Sequence, residues 1–428
     1  MARVLLLIPT ASYRAPDFMD AAAKLGLEVV VGSDRGQPLA ELFPGRTLTA
    51  DFSDPESGAA AIARFADSYP LDAILAVDDA GTILAAEASS RLRLPHNPVE
   101  AARATRDKPL MRRLLDEAGI ASPTWRVIPL DRDARREAGS IDFPCVIKPL
   151  ALSASRGVIR ANNPDEFVAA VGRLREILRL PDVKEECGEA ANSYLVEDYL
   201  PGDEVSLEGL VEDGALHVLA LFDKPDPLTG PFFEETIYVT PSRLPRDRQR
   251  SVIDTAEAAT RALGIVNGAV HIELRLNDDG VFPIDVAARS IGGLCGRTLS
   301  FGVGMSLEEL ILRHATGSPI ESFDRAEDAA GVMMIPIPAG GTLLAVGGLE
   351  QARGIPGVDA VTISIPIGHE VVPLPEGSEY LGFIFARGDI PAAVEETLRA
   401  AHSCLRFEIS ETATSSETGA AEAVVDPA

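Results

Sequence analysis

At 428 residues the chain is too long for one ordinary hydrophobic core, and its 46% apolar, 24% charged and 5% aromatic content fits a multi-lobed globular α/β protein rather than a disordered one. A formal net charge of -26, from 39 basic and 65 acidic residues, argues against nucleic acid or anionic lipid as a partner, so any anion site must be built locally from a few Lys and Arg side chains. Cys145, Cys187, Cys295 and Cys404 show neither CxxC nor zinc-ligand spacing and read as structural thiols suited to a reducing cytoplasm. The apolar start VLLLIP is too short for a signal-peptide core, and no run is long enough to span a bilayer.

In chain order, an apolar run at 3–9, helical spacing at 15–25 and a β-branched run at 27–31 make a βαβ opening. A helix near 57–68, a strand at 71–77 and a helix at 80–92 continue it, predicting a doubly wound parallel-sheet domain over 1–105. The turn after the first strand reads PTASYR, with no glycine to admit a pyrophosphate, so nicotinamide binding there is not expected. Residues 106–316 alternate helices with strands such as PCVIKP, SYLVEDYL, EVSLEGLVED, ALHVLALF, AVHIELRL and VFPIDVAA. Strands near 332–337, 360–366 and 380–386, with helices near 347–353 and 391–401, predict a small α+β lobe over 317–409. Residues 410–428, rich in Ser, Thr, Ala and Glu, are expected to be a disordered tail.

The middle region concentrates the chemistry. Lys108 heads the amphipathic segment RDKPLMRRLLDEAGIASP, either as a solvated charge or as a site lysine. FPCVIKP is a buried strand ending on Lys148, whose ammonium can lie over a nucleotide phosphate or snorkel at an edge. In LSASRGV, Ser153, Ser155, Arg156 and Gly157 form a loop fit to fold over phosphate oxygens, or a plain turn. SYLVEDYLPGDEVSLEG places Glu197 and Glu204 on either side of a Pro201, Gly202 turn. Backbone groups of Asp198, Tyr199 and Leu200 can face an adenine edge and Glu204 a ribose, the bland alternative being an acidic hairpin.

HIELRLNDDGVFPIDVAARSIGG carries the strongest hairpin signal in the chain. Alternation sets His271, Glu273 and Arg275 on one face and Ile272 and Leu274 on the other, while Asp285 interrupts the second apolar strand. Two carboxylates on adjacent half-buried strands suit Mg²⁺ on triphosphate oxygens, with surface ion pairs as the alternative. Arg289 is placed to steady phosphoryl transfer, Gly292 and Gly293 admit a substrate near the backbone, and His271 reads as a structural or substrate-side neighbour.

Taken in order, Lys108, Lys148, the SASRG loop, Glu197 with Glu204, Glu273, Asp285 and Arg289 resemble the ATP-grasp superfamily. DKPDPLTGPFFEETIYVTPSRL and IDVAARSIGGLCGRTLSFG resemble its carboxylate-amine ligase branch, which includes dipeptide-forming L-amino acid ligases. The resemblance covers roughly 3–409 and implies an ATP-grasp fold, α/β and α+β, with a Rossmann-like N-terminal domain. Its nucleotide-binding domain would span 106–316, with a mobile subdomain at about 125–195. It also implies ATP with Mg²⁺ or Mn²⁺. Lys108, Lys148 and the SASRG loop would meet phosphates, Glu197 and the following backbone adenine, Glu204 ribose, Glu273 and Asp285 metal, and Arg289 the acyl phosphate. Glu235 and Tyr238 would contact substrate.

Two departures bear on the metal count: Asp285 stands where Glu is common, and Ala287 replaces an Asn ligand found in many members. Tyr238 stands where some dipeptide ligases have His, so no proton-transfer role carries over to it. The implied reaction joins a small-molecule carboxylate and an amine through an acyl phosphate, releasing ADP and phosphate. The rivals are a bicarbonate-activating carboxylase of the biotin-carboxylase or purine-synthesis type and an ATP-binding regulator without turnover. Relatives suggest a homodimer, which no face of the sequence specifies.

Overall fold

The computed structural model describes residues 1–10, 12–36 and 43–411. RVLLL at Arg3–Leu7 is almost wholly buried, as a central strand of a sheet covered on both faces must be. It pairs in parallel with Glu28–Ser33 and Ala73–Ala76, and Thr47–Thr49 adds a parallel edge strand that no sequence pattern announces. Helix Ala15–Lys24 carries Pro in its first turn and buries Phe18, Ala21 and Ala22, one stripe at helical spacing. Helix Pro55–Ser68 starts where the Asp54 carboxylate accepts the Ser57 N–H at 3.1 Å. With Thr82–Leu92 these complete the expected parallel domain.

The next body is a four-stranded sheet ordered Trp125–Pro129, Ser193–Asp198, Cys145–Pro149, Ile159–Ala161, with antiparallel neighbours. Helix Pro164–Arg179 covers it, and Ile147, Phe167, Leu174 and Tyr194 form a core of its own. It is therefore a separately packed subdomain.

The largest sheet has eight strands, each antiparallel to its neighbours: Gly280–Ala287, Gly268–Asn277, Asp203–Glu212, Ala215–Lys224, Ile237–Thr240, Ala329–Ile335, Gly382–Gly388 and Val358–Ile363. The boundary expected at residue 316 is no break in this sheet, because Ile237–Thr240 pairs directly with Ala329–Ile335. Glu370–Val371, Gly341–Gly347 and Arg406–Glu411 form a further small sheet. Its last strand runs two residues into the tail expected to lack structure, and 412–428 lie outside the described residues.

One apolar cluster joins Leu6 and Phe18 of the first domain to Phe222, Tyr238, Ile291 and Leu310, so that domain shares its core with the large sheet. The separate subdomain faces both across a cleft lined by residues of all three bodies. The four cysteines are free thiols. Among the described residues no helix is long and apolar enough to cross a membrane.

Candidate active site

The cleft holds a cavity of about 400 Å³, lined by every residue expected at the site except Gly157. Its floor is the face of the large sheet on which residues alternate inward. Glu273 stands directly opposite Asp285, with a register irregularity just after Glu273. On the other side of that strand His271 faces Glu208 and Arg275 faces Glu204.

The floor carries a lysine that the sequence reading passed over. Lys224 closes the apolar strand Ala215–Lys224, and its Nζ donates to Glu204 at 2.7 Å, Glu235 at 2.5 Å and Glu273 at 3.0 Å. The signal is in the sequence, because Lys224 stands like Lys148 at the end of an apolar strand. Burial opposes charge on Lys224, but its three carboxylates raise its pKa well above the ordinary range. Burial and the Glu273 charge push Glu235 up to about 7. Burial alone would raise Glu273, yet Lys224 and His271 hold it well below the usual carboxylate range.

Oxygens of Glu204, Glu235 and Glu273 lie within 4.8 Å of one another, a hard donor set that already binds one cation and suits a second. Asp285 adds its carboxylate from the facing strand position rather than from within that group. Metal therefore fits this corner of the cavity.

Two carboxylates expected at the nucleotide are already paired with cations. The Glu197 carboxylate binds Arg112 at 2.6 Å and Lys148 at 2.7 Å, and Glu204 binds Lys224 at 2.7 Å and Arg275 at 2.9 Å, so both act as anchors for cations. A carboxylate can accept further bonds, which leaves a ribose contact open to Glu204. Of the backbone expected at adenine, Asp198 N–H already donates to Thr124 O and Tyr199 N–H to Pro144 O, while Leu200 O accepts from Arg275 at 2.8 Å.

The SASRG loop is also tied down. Ala154 and Ser155 occupy the left-handed region, at φ 53 and 55, conformations that persist only where surrounding contacts hold them. Arg156, expected over phosphates, donates from Nε to Glu376 O at 2.8 Å and pairs with Asp182 at 3.1 Å. Gly157 N–H donates to Pro375 O at 2.9 Å, and a Cβ there would meet Leu174 at 2.9 Å, so this glycine serves packing rather than the cavity. Arg173 grips the Glu376 carboxylate with two donors. The loop is thus strapped to the C-terminal lobe through Glu376. Glu376→Ala keeps the two carbonyls that the loop uses but frees their segment from Arg173, so hydrogen–deuterium exchange over residues 152–157 should speed up to about fivefold, the worth of a half-exposed pair. Unchanged exchange there would contradict the strap.

The N-terminal domain supplies residues that the sequence reading did not single out. Tyr13, from the glycine-free PTASYR turn, accepts the Gly293 N–H at 2.8 Å, and burial raises its pKa. Arg14 donates to Val77 O at 2.7 Å and to Ser290 Oγ at 2.5 Å. Asp79 binds Arg289 at 2.8 Å. Lys108 donates to Leu152 O at 2.9 Å, and burial lowers its pKa. Tyr238 lies on the inner face, 4.9 Å from Lys224 Nζ to its ring centroid, and Met334, Tyr380, Cys295 and Phe233 complete an apolar wall.

This arrangement, with a strand-borne carboxylate floor, a separate subdomain above it and lysines between, defines the class. An ATP-grasp domain model matches residues 141–298, an ATP-grasp N-terminal domain model 19–96, and an L-amino acid ligase C-terminal domain 2 model 333–410. The chain has the ATP-grasp fold and carries an ATP-grasp domain. It is similar to alanine–anticapsin ligase of Bacillus amyloliquefaciens, 31% identical over 50% of this chain and 47% of that one. It also resembles the solved L-amino acid ligase of Bacillus licheniformis, at TM-score 0.79 and 24% identity over 96% of this chain and 99% of that one. N5-carboxyaminoimidazole ribonucleotide synthetase of Thermotoga maritima shares the fold at TM-score 0.69 and 16% identity, over 96% and 100% of the two chains. The chain spans about half the length of the first curated relatives it matches.

Proposed function

We propose that this chain is an ATP-dependent carboxylate-amine ligase that joins amino-acid-like substrates and releases ADP and phosphate, acting in the cytoplasm. The observation that carries the reading is the pairing of Glu273 with Asp285 on the cavity floor, with Lys108, Lys148 and Arg289 around the same cavity. The L-amino acid ligase C-terminal match over 333–410 supports this branch. Glu273 and Asp285 would hold Mg²⁺ or Mn²⁺, which when bound supplies charge neutralisation at the phosphate oxygens. Ala287 lines the cavity without a donor atom, so a second ion has fewer ligands there.

A substrate carboxylate oxygen attacks the γ-phosphorus, the bond to the β-phosphate oxygen breaks, and ADP leaves. The amine then attacks the acyl carbon and phosphate leaves. Lys108 and Lys148 supply positive charge along the phosphates and Arg289 steadies the charge that develops during transfer. Tyr238 and Glu235 face the substrate end, and Gly292 and Gly293 admit it to the backbone.

A screen of ADP release over pairs of amino acids, with Mg²⁺ or Mn²⁺, tests the reading. It predicts release that needs both an acid and an amine, with a product mass equal to their sum less one water. Release driven by bicarbonate alone would instead make the chain a carboxylase. ATP binding without release across the panel would make it a regulator.

A further inference from the structure

Arg289 is held from outside its own domain. Its NH2 donates to Asp79 Oδ2 at 2.8 Å, with both side chains only 15% exposed and both lining the cavity. Asp79 follows the N-terminal strand Ala73–Ala76, in the turn that leads into helix Thr82–Leu92, where Thr82 Oγ1 donates to Asp79 O at 2.8 Å. Its other oxygen lies 3.9 Å from Arg106, and Arg106 lies 3.7 Å from Glu186 on helix Pro181–Cys187 of the separately packed subdomain. The backbone beside Arg289 is gripped from the same side, since Arg14 binds Ser290 Oγ at 2.5 Å and Ser290 O at 3.2 Å while also donating to Val77 O.

A guanidinium on a long stem is not oriented by its own backbone, and fixing it requires a partner that restricts its rotamers. Arg289 has such a partner in Asp79, plus one bond from NH1 to Ser290 O at 3.0 Å. Although burial would raise the Asp79 pKa, Arg289 and Arg106 hold it far below the ordinary carboxylate range, so the partner is charged at neutral pH.

We propose that Asp79 is a positioning residue for Arg289: the N-terminal domain aims the guanidinium into the cavity, and the Arg106 to Glu186 contact couples that aim to the separately packed subdomain. The inference rests on the ligase reading for its kinetic consequence but not for its geometry. An arginine displaced by about 1 Å loses much of its transition-state stabilisation and little ground-state binding.

The test combines Asp79→Asn, Asp79→Glu, Arg289→Ala and the Asp79→Asn, Arg289→Ala double variant. Asp79→Asn should lower kcat about 100-fold and leave the ATP KM within about threefold, and Asp79→Glu should recover part of the loss. In the Arg289→Ala background Asp79→Asn should cost almost nothing further, because it acts through the missing group. A crystal structure of Asp79→Asn should show the Arg289 guanidinium displaced. Fully additive losses, an unchanged kcat or an unmoved Arg289 would overturn the inference. If the wild-type protein turns over no acid and amine pair, the ligase reading fails, while the crystal comparison still decides the role of Asp79.

Discussion

Replacing Arg289 with alanine should lower kcat by about 10² to 10³-fold while ATP affinity changes less than about threefold. The asymmetry follows from where the side chain sits. Arg289 lines the cavity, and its charge is secured by a partly buried pair with Asp79 that opposes its burial. On this reading bound ATP would already have cationic neighbours in Lys108 and Lys148, which line the same cavity. Charge spread over the transferring phosphoryl group needs a further donor only during transfer. Folding should survive, because Asp79 keeps Arg106 nearby. Single-turnover ADP formation beside calorimetric ATP binding reads both quantities. Equal losses in the two would place Arg289 in ground-state binding and sink its assignment to the transition state.

Glu197→Ala should destabilise the protein by about 3 to 5 kcal/mol, a mechanism distinct from catalysis. Its partner Arg112 is 1% exposed and also donates to Pro283 O at 3.0 Å and Ile284 O at 2.7 Å, the two residues before Asp285. Loss of the carboxylate therefore strands a buried guanidinium and loosens the strand that carries Asp285. Burial pushes the Glu197 carboxyl up, but Arg112 and Lys148 outweigh it and hold it at about 2, below the ordinary 4.5. A depressed carboxylate pKa contributes stability that is fully present above the unfolded value and is lost as pH falls through the folded one. The stability gap between wild type and Glu197→Gln should thus be widest above pH 4.5 and shrink by about 3 kcal/mol toward pH 2. Urea titrations at several pH values measure this gap, and a gap independent of pH would refute the linkage.

Local pattern made part of this molecule legible in its sequence. The parallel opening follows from apolar runs alternating with helical spacing, and the NDDG turn with period-two alternation lets Glu273 and Asp285 meet across the strand pair, where they stand directly opposite. The resemblance added Glu235, which the fold brings to Glu204 and Glu273. What escaped is tertiary. The tie of Glu197 to Arg112 spans 85 positions, and no local pattern encodes that distance. Asp79, Arg14 and Tyr13 sit in polar turns that read as ordinary surface loops until the first domain docks on the large sheet. The missing glycine in PTASYR speaks only against dinucleotide binding. Strand pairing across residue 316 was equally hidden, since a strand's period says which face is buried and not which edge it joins.

The most direct test of the account follows oxygen. Once the screen supplies a cognate acid and amine, the acid is labelled with ¹⁸O on both carboxylate oxygens and the released phosphate is weighed. Attack of the carboxylate on the γ-phosphorus followed by amine displacement predicts one labelled oxygen per phosphate formed. Phosphate that carries no label, released in step with product, would contradict activation of the carboxylate by phosphoryl transfer.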